Sequence, residues 1–348
     1  MRVAVIGGGL IGMERLNSLV ALSKKYDSQN IKITCVVDPD AGRLGKIKEQ
    51  FGCEVSTRLE DALSTSPDWV FICTPHDSVL DIAKLCLSRD CNVLIEKPLG
   101  RTLDECDQIL GLVASKSQLT VGFNYRFYPG IHAAVSDALN GEFGELISVN
   151  MVLGHGNSPG MEKSWKLDPI KCGGGALIDP GVHLLDLALL LAKGDDLDVV
   201  GGKTWSGIWN TGIEEEIHVV LKSRSETIFN IQASLNRWRS TFRLEINGTK
   251  GYAVVDGRGR SYGPQTYSKG QKWGWQSGKS QSESEVVVVD SDPANDSFTD
   301  ETADILGLNS EGLDGSSKIN ACTAHEGRHV MHLLDQIRTQ LGMDIIKT

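Results

Sequence analysis

A short run of apolar, mostly β-branched residues, 3–6, ends in a cluster of glycines, and Leu16, Leu19, Val20 and Leu22 then follow at helical spacing. This strand, turn and helix carries G-x-G-x-x-G at Gly7, Gly9 and Gly12. The first glycine permits a tight turn, the second lets backbone approach a pyrophosphate, and the third lets the helix pack on the strand. The start of the helix, at Leu10 and Ile11, offers N–H donors and partial positive charge to the same anion. A glycine turn often does nothing but turn; this one has the strand and helix that a dinucleotide site requires. Asp38 closes the next apolar strand, a little past the usual spacing of roughly 20 residues, which the loop SKKYDSQN absorbs. A carboxylate there accepts hydrogen bonds from both ribose hydroxyls and repels a 2′-phosphate. NAD is the expected cofactor, with Arg43 leaving NADP open. The other reading of Asp38, just ahead of Pro39 and Ala41, is a cap for the next helix.

Strands at 31–37, 53–56, 69–73, 92–95 and 119–122 alternate with helices at 41–50, 59–63, 78–88 and 103–115. The expected class is α/β, with an N-terminal Rossmann domain over residues 1–122 built on a doubly wound parallel sheet. Beyond 122 the pattern changes. A helix at 131–139 and a strand at 146–153 lead to a glycine-rich polar loop and then to a very apolar helix after Asp179. From 199 to 255 the period is close to two, in EIHVVLK, TIFNIQASL and FRLEING, which implies a C-terminal α+β domain over 123–348 with an open, mostly antiparallel sheet. Residues 256–295 carry no assignable period, and a helix near 324–339 closes the chain.

With 348 residues, two hydrophobic cores are affordable. The 35 basic side chains against 45 acidic ones, a net charge of −10, argue against nucleic acid as a partner. No apolar run approaches the roughly 20 residues of a membrane span. The eight cysteines show no C-x-x-C pair or metal-ligand spacing, so neither a disulfide framework nor a metal is expected. The chain begins directly with a strand, and we expect a reduced, cytoplasmic protein without a signal peptide.

Three further segments stand in order behind the glycines: IEKPLG at 95–100, GFNYRF at 122–127 and GGGALIDPGVHLLDL at 173–187. Singly they read as a surface lysine, an Asn-Tyr turn and an N-capped core helix. Asp179 before Pro180 reads as the N-cap, which places Asp179 and His183 one turn apart on one face, with Asp186 a turn further on. Polar groups on so apolar a helix need partners or a purpose. A core histidine capped by its own aspartate stands beside a catalytic pair as the two readings.

Together, the three segments closely resemble the family of glucose-fructose oxidoreductase, inositol dehydrogenase and MocA proteins, over nearly the whole chain. That resemblance implies a dehydrogenase acting on a secondary alcohol, with Lys97 and His183 flanking the reacting carbon and Asp179 beside them. It implies cofactor contacts from Thr74, Pro75, Glu96 and Lys97, and marks Lys97–Pro98 as a candidate cis bond. Two positions depart from the family pattern: Val79, where a His is frequent, and Trp165–Lys166, in place of a Trp-Arg pair. For the substrate, Asn124, Tyr125, His155 and Trp165 join Asp179 and His183, with Trp209, Arg237 and Trp238 as further possibilities. Residues 257–279 interleave Arg258, Arg260, Lys269, Lys272 and Lys279 with Tyr262, Tyr267, Trp273 and Trp275. Such a stretch is suited to a base and diphosphate, or equally to a solvated or subunit-contact loop. The GHG loop, WKLDP and the triple glycine resemble members that make surface-polysaccharide sugars, which implies a nucleotide-linked sugar. Free inositol or an aldose, an NAD-dependent glycosidase and a nicotinamide sensor are the alternatives. One face of the second sheet should lack helices, so a homodimer or homotetramer is expected.

Overall fold

The computed structural model describes residues 1–114, 118–273, 285–289, 292–308 and 319–343. The N-terminal part alternates as expected: β1 (Arg2–Ile6), α1 (Leu10–Lys25), β2 (Lys32–Val37), α2 (Ala41–Phe51), β3 (Glu54–Ser56) and α3 (Leu59–Ser64). It continues through β4 (Trp69–Ile72), α4 (Val79–Leu87), β5 (Asn92–Glu96), α5 (Leu103–Leu110) and β6 (Leu119–Gly122). Next come α6 (Pro129–Leu139), β7 (Leu146–Gly154), the single turn α7 (Pro169–Cys172) and α8 (Val182–Leu191). Five strands follow: β8 (Leu197–Trp205), β9 (Glu216–Ser223), β10 (Ile228–Ser234), β11 (Thr241–Gly248) and β12 (Gly251–Asp256). The last elements are β13 (Gln265–Gln271), β14 (Glu285–Val289), α9 (Pro293–Ile305), β15 (Cys322–Thr323) and α10 (Ala324–Gln340).

The chain divides into two compact units. The first is Met1–Asn124 with the described residues of 298–315 and 320–331, and the second is Tyr125–Ser297 with those of 316–319 and 332–348. The first unit is built on a sheet in the order β15-β6-β5-β4-β1-β2-β3, parallel except for β15 on β6. Val3, Ala4 and Val5 of β1 are fully buried, as an unbroken apolar run in a central parallel strand must be. The sequence reading placed everything beyond 122 in the second domain, whereas 298–308 and 320–331 pack with the first. Long-range interactions draw them there, among them the pairing of β15 with β6 and the hydrogen bond that Arg15 of α1 donates to Glu301 of α9.

The second unit carries a sheet in the order β14-β13-β12-β11-β7-β10-β9-β8, antiparallel except where β7 meets β10. Ile217, Val219, Leu221, Phe229, Ile231, Phe242, Leu244 and Ile246 turn to one buried face, the period of two read in the sequence. His218, Ile228 and Asn230 lie exposed on the other. Part of the unassigned stretch proves to be β13 and β14, which extend the sheet, while Trp275 and Lys279 lie outside the described residues. The helix read to residue 115 ends at Leu110, ahead of Gly111. Contrary to the expectation of no run near spanning length, Pro169–Leu191 is long and apolar enough to cross a membrane by composition. Its most apolar window is 94% buried in the protein, as a core helix is.

Candidate active site

In the first unit, the three glycines do different work. Gly7 has φ +96°, and a Cβ there would lie 2.5 Å from the carbonyl oxygen of Cys73. A Cβ on Gly12 would lie 1.9 Å from the carbonyl oxygen of Gly7, so this glycine sets how closely α1 approaches the turn. A Cβ on Gly9 would meet nothing within 4 Å, and its φ of −69° suits any residue. The protein has no packing need for glycine at this position, but a pyrophosphate seated on the backbone does. The first turn of α1, at Leu10 and Ile11, has no side-chain cap, leaving its donors to such an anion.

Asp38 is buried and aimed at the same turn. Its carboxylate accepts from the Gly8 N–H at 2.8 Å, from the Asp40 N–H at 2.9 Å and from Arg43 Nη1 at 2.8 and 2.9 Å. The helix-cap reading falls away, because the N-cap of α2 is Asp40, which accepts from the Arg43 N–H. Thr74, beside Gly7, has a buried hydroxyl with no hydrogen-bond partner among the described residues, and Pro75 opens the turn that follows. An orphaned hydroxyl, an uncapped helix and an open glycine fit a dinucleotide. Glu96 ends β5, and its Oε1 accepts from Arg15 Nε at 2.6 Å. That pair makes Glu96 a support for Lys97, whose bond to Pro98 is cis.

In the second unit, Asp179 is not an N-cap. Residues Leu177–Gly181 form a π turn that runs directly into α8. Pro180 has no N–H to give to Ala176, and the Gly181 N–H takes that carbonyl instead at 2.8 Å. A Cβ on Gly181 would lie 2.8 Å from the same oxygen and 3.2 Å from Ala233 Cβ, so glycine is required at the widened turn. The D-P-G-V-H string thus builds a bulge that carries both Asp179 and His183. Each is 7% exposed in a helix whose other buried residues are apolar except Asp186.

Their surroundings were invisible in the sequence. Tyr125 stacks on His183, ring centroids 4.0 Å apart and 20° between planes. Burial pushes the Tyr125 phenol well above its ordinary pKa, so it stays protonated. Arg126 makes a bidentate pair with Asp186, at 2.9 and 2.6 Å, fastening the NYRF turn to α8. Lys166 Nζ donates to Asp179 Oδ2 at 3.3 Å, and this carboxylate raises the lysine's pKa. The departure from a Trp-Arg pair therefore keeps a cation on Asp179, with Trp165 beside it at 6.0 Å from the ammonium. Asn124 is buried at the head of the same turn.

His155 lies farther along the unit, at the end of β7, where its Nδ1 accepts from the Asn157 N–H at 3.3 Å. It borders a cleft also lined by Trp209 and Trp238. Glu215, fully buried, fixes the loop that carries Trp209 by accepting from the N–H groups of Ile208 at 2.9 Å and Trp209 at 2.8 Å and from Asn236 Nδ2 at 3.0 Å. Burial pushes its pKa up, but these donors outweigh burial and hold it below the ordinary value. A depressed carboxylate stabilises the fold above its unfolded pKa of about 4.3, and the contribution is lost as pH falls through the folded value. Glu215→Gln should lower stability by about 1.5–3 kcal/mol at neutral pH. Urea midpoints measured against pH should show that gap closing on acidification.

Three comparisons with known proteins bear on the chain's family. Residues 1–124 match the family model described as oxidoreductase family, NAD-binding Rossmann fold, and residues 133–254 match the GFO/IDH/MocA C-terminal domain. Inositol 2-dehydrogenase of Rhizobium meliloti (strain 1021) is 26% identical over 264 residues, 74% of this chain and 76% of that protein. The dTDP-3,4-didehydro-2,6-dideoxy-alpha-D-glucose 3-reductase of Saccharopolyspora spinosa is 27% identical over 260 residues, 74% of each chain. Among solved structures, a 3-ketoreductase from Actinomadura kijaniata in complex with NADP and TDP-benzene superimposes with a TM-score of 0.77 at 18% identity, over 100% of this chain and 99% of that one. A levoglucosan dehydrogenase in complex with NADH gives 0.79 at 18% identity, over the whole of both chains. With matched domains covering more than half of its length, the chain belongs to the GFO/IDH/MocA family and is an NAD(P)-dependent oxidoreductase.

Proposed function

We propose that this protein interconverts a secondary alcohol and a ketone on the ring of a nucleotide-linked sugar. The observation that carries the chemistry is that a π turn sets both Asp179 and His183, each buried, into one largely apolar helix. Bound NAD supplies the hydride acceptor. His183 takes the hydroxyl proton as hydride departs, and the ammonium of Lys97 donates to the same oxygen and stabilises its developing charge. Asp179, held by Lys166, orients the imidazole. Asp38 favours NAD over NADP, since its buried carboxylate repels a 2′-phosphate. Support for a nucleotide-linked substrate comes from the similarity to a dTDP-sugar 3-reductase and to a 3-ketoreductase bound to TDP-benzene. The similarity to an inositol dehydrogenase favours a second reading, a free cyclitol.

The test is absorbance of reduced nicotinamide with NAD, and separately NADP, over nucleotide sugars, free aldoses, cyclitols and aryl glycosides. The expected signal is confined to nucleotide sugars, larger with NAD, and lowered about 100-fold or more in Lys97→Ala. A signal from cyclitols alone replaces the substrate assignment. Glycoside cleavage without net NADH replaces the reaction.

A further inference from the structure

Within the second unit lies a cleft of about 730 Å³, well inside the roughly 300–1,000 Å³ of sites that enclose drug-sized ligands. It offers more room than a single sugar ring needs. Trp209 is fixed by its indole N–H, which donates to the carbonyl oxygen of Leu235 at 3.3 Å. Trp238 stands at the edge, 74% exposed. Its ring is backed by the GHG loop: a Cβ on Gly156 would lie 2.9 Å from Trp238 Cε3, so only glycine lets that loop lie flat against the indole. Two positioned indoles, one with a face in water, are a stacking platform for a flat ring.

Two arginines stand beside this cleft, while the carboxylate of Glu215 is occupied in holding the Trp209 loop. Arg258 packs its guanidinium 3.8 Å from the ring of Tyr262, which lines the cleft, and donates from Nη1 to the Tyr128 hydroxyl at 2.8 Å. Among the described residues, neither Arg258 nor Arg237, next to Trp238, pairs with a carboxylate, and the Nε of each is buried with no hydrogen-bond partner there. The side-chain Nδ2 of Asn157, on the cleft wall, is likewise buried and has no partner among the described residues. Elsewhere in this acidic chain Arg15, Arg43, Arg126, Arg243 and Arg328 each rest on a carboxylate. Unpaired cations and donors beside a cleft call for an anion rich in acceptor oxygens. Arg258 also lies 5.3 Å from the ring of Tyr125, the residue stacked on His183, so a run of contacts through Tyr262, Arg258 and Tyr125 links the cleft wall to His183.

We propose that this cleft seats the nucleoside diphosphate of the substrate, its base on Trp238 and its diphosphate charge met by Arg258 and Arg237. The assignment rests on the nucleotide-linked substrate proposed above and adds the residues that select it. The test is titration calorimetry on the whole protein saturated with NAD, which keeps ligands out of the dinucleotide site. UDP, dTDP and GDP are the probes, with uridine and inorganic pyrophosphate alongside. At least one nucleoside diphosphate should bind once per chain, with uridine and pyrophosphate each weaker by about tenfold or more. Trp238→Ala and Arg258→Gln should each weaken binding by about tenfold or more while NAD affinity holds. No binding by any of the three diphosphates, or equal binding in both variants, overturns the proposal. Because binding is read without turnover, NADH formation from a free sugar alongside silent calorimetry would leave the oxidoreductase chemistry standing and remove this site alone.

Discussion

Replacing His183 by Asn is expected to lower turnover by about 10²–10⁴-fold while leaving NAD affinity unchanged. Hydride cannot leave a secondary alcohol unless the hydroxyl proton has somewhere to go, and His183 is a titratable group on the buried helix with Asp179 one turn before it. Asn keeps a polar side chain of similar reach against the Tyr125 ring, so the stack is perturbed less than by a truncation. What it loses is the ability to hold a proton. Single-turnover NADH formation at saturating cofactor reports the chemical step, and fluorescence titration with NAD reports the first unit. A variant within a few-fold of the parent would make His183 a core histidine held by its neighbours, and the acid–base role would fall.

Arg15→Met should destabilise the protein by about 3–5 kcal/mol, because it strips the shared cation from two carboxylates, one fully buried and one half-buried. Arg15 is fully buried, with Nε on Glu96 at 2.6 Å, Nη2 on Glu301 at 2.5 Å and Nη1 on the Thr302 hydroxyl at 3.1 Å. Burial alone would lower its pKa; Glu301 first and Glu96 second more than reverse this, and the guanidinium stays charged. With methionine in its place, the fully buried Glu301 and the half-buried Glu96 repel each other with little water to screen them. The second change Glu301→Gln should recover part of the loss by removing one of the two charges, so the double variant should be more stable than the single one. Urea unfolding of the parent and both variants checks this. A single variant with an unchanged midpoint would mean that the carboxylates find other relief. Since Glu96 precedes Lys97, the single variant should also lose turnover beyond its loss of folded protein.

The turn proposed to hold the dinucleotide was readable from the chain because its geometry is local. Gly7 needs a positive φ, Gly12 must let a helix touch a turn, and Asp38 ends the strand that follows, all within one strand-helix-strand unit. The period of two in EIHVVLK and FRLEING likewise predicted which residues of the second sheet turn inward, because a strand alternates faces whatever it packs on. The same local logic failed at Asp179. Asp before Pro is a sound N-cap pattern, but Ala176 and Ala233 close on Gly181 and the chain continues as a π turn through the proline.

Sequence by itself determined the Rossmann unit, the character of the second sheet, and the identity of the residues proposed for chemistry. Which charge meets which was decided by tertiary structure: Lys166 on Asp179 at a separation of 13 residues, Arg126 on Asp186 at 60, Arg15 on Glu301 at 286. The same holds for the C-terminal stretches that join the first unit and for the two arginines left beside the cleft without a carboxylate. Hydrophobic periodicity reports which face of an element is buried. A buried ion's partner depends on which elements cross it, and that follows only once the chain has closed its long loops.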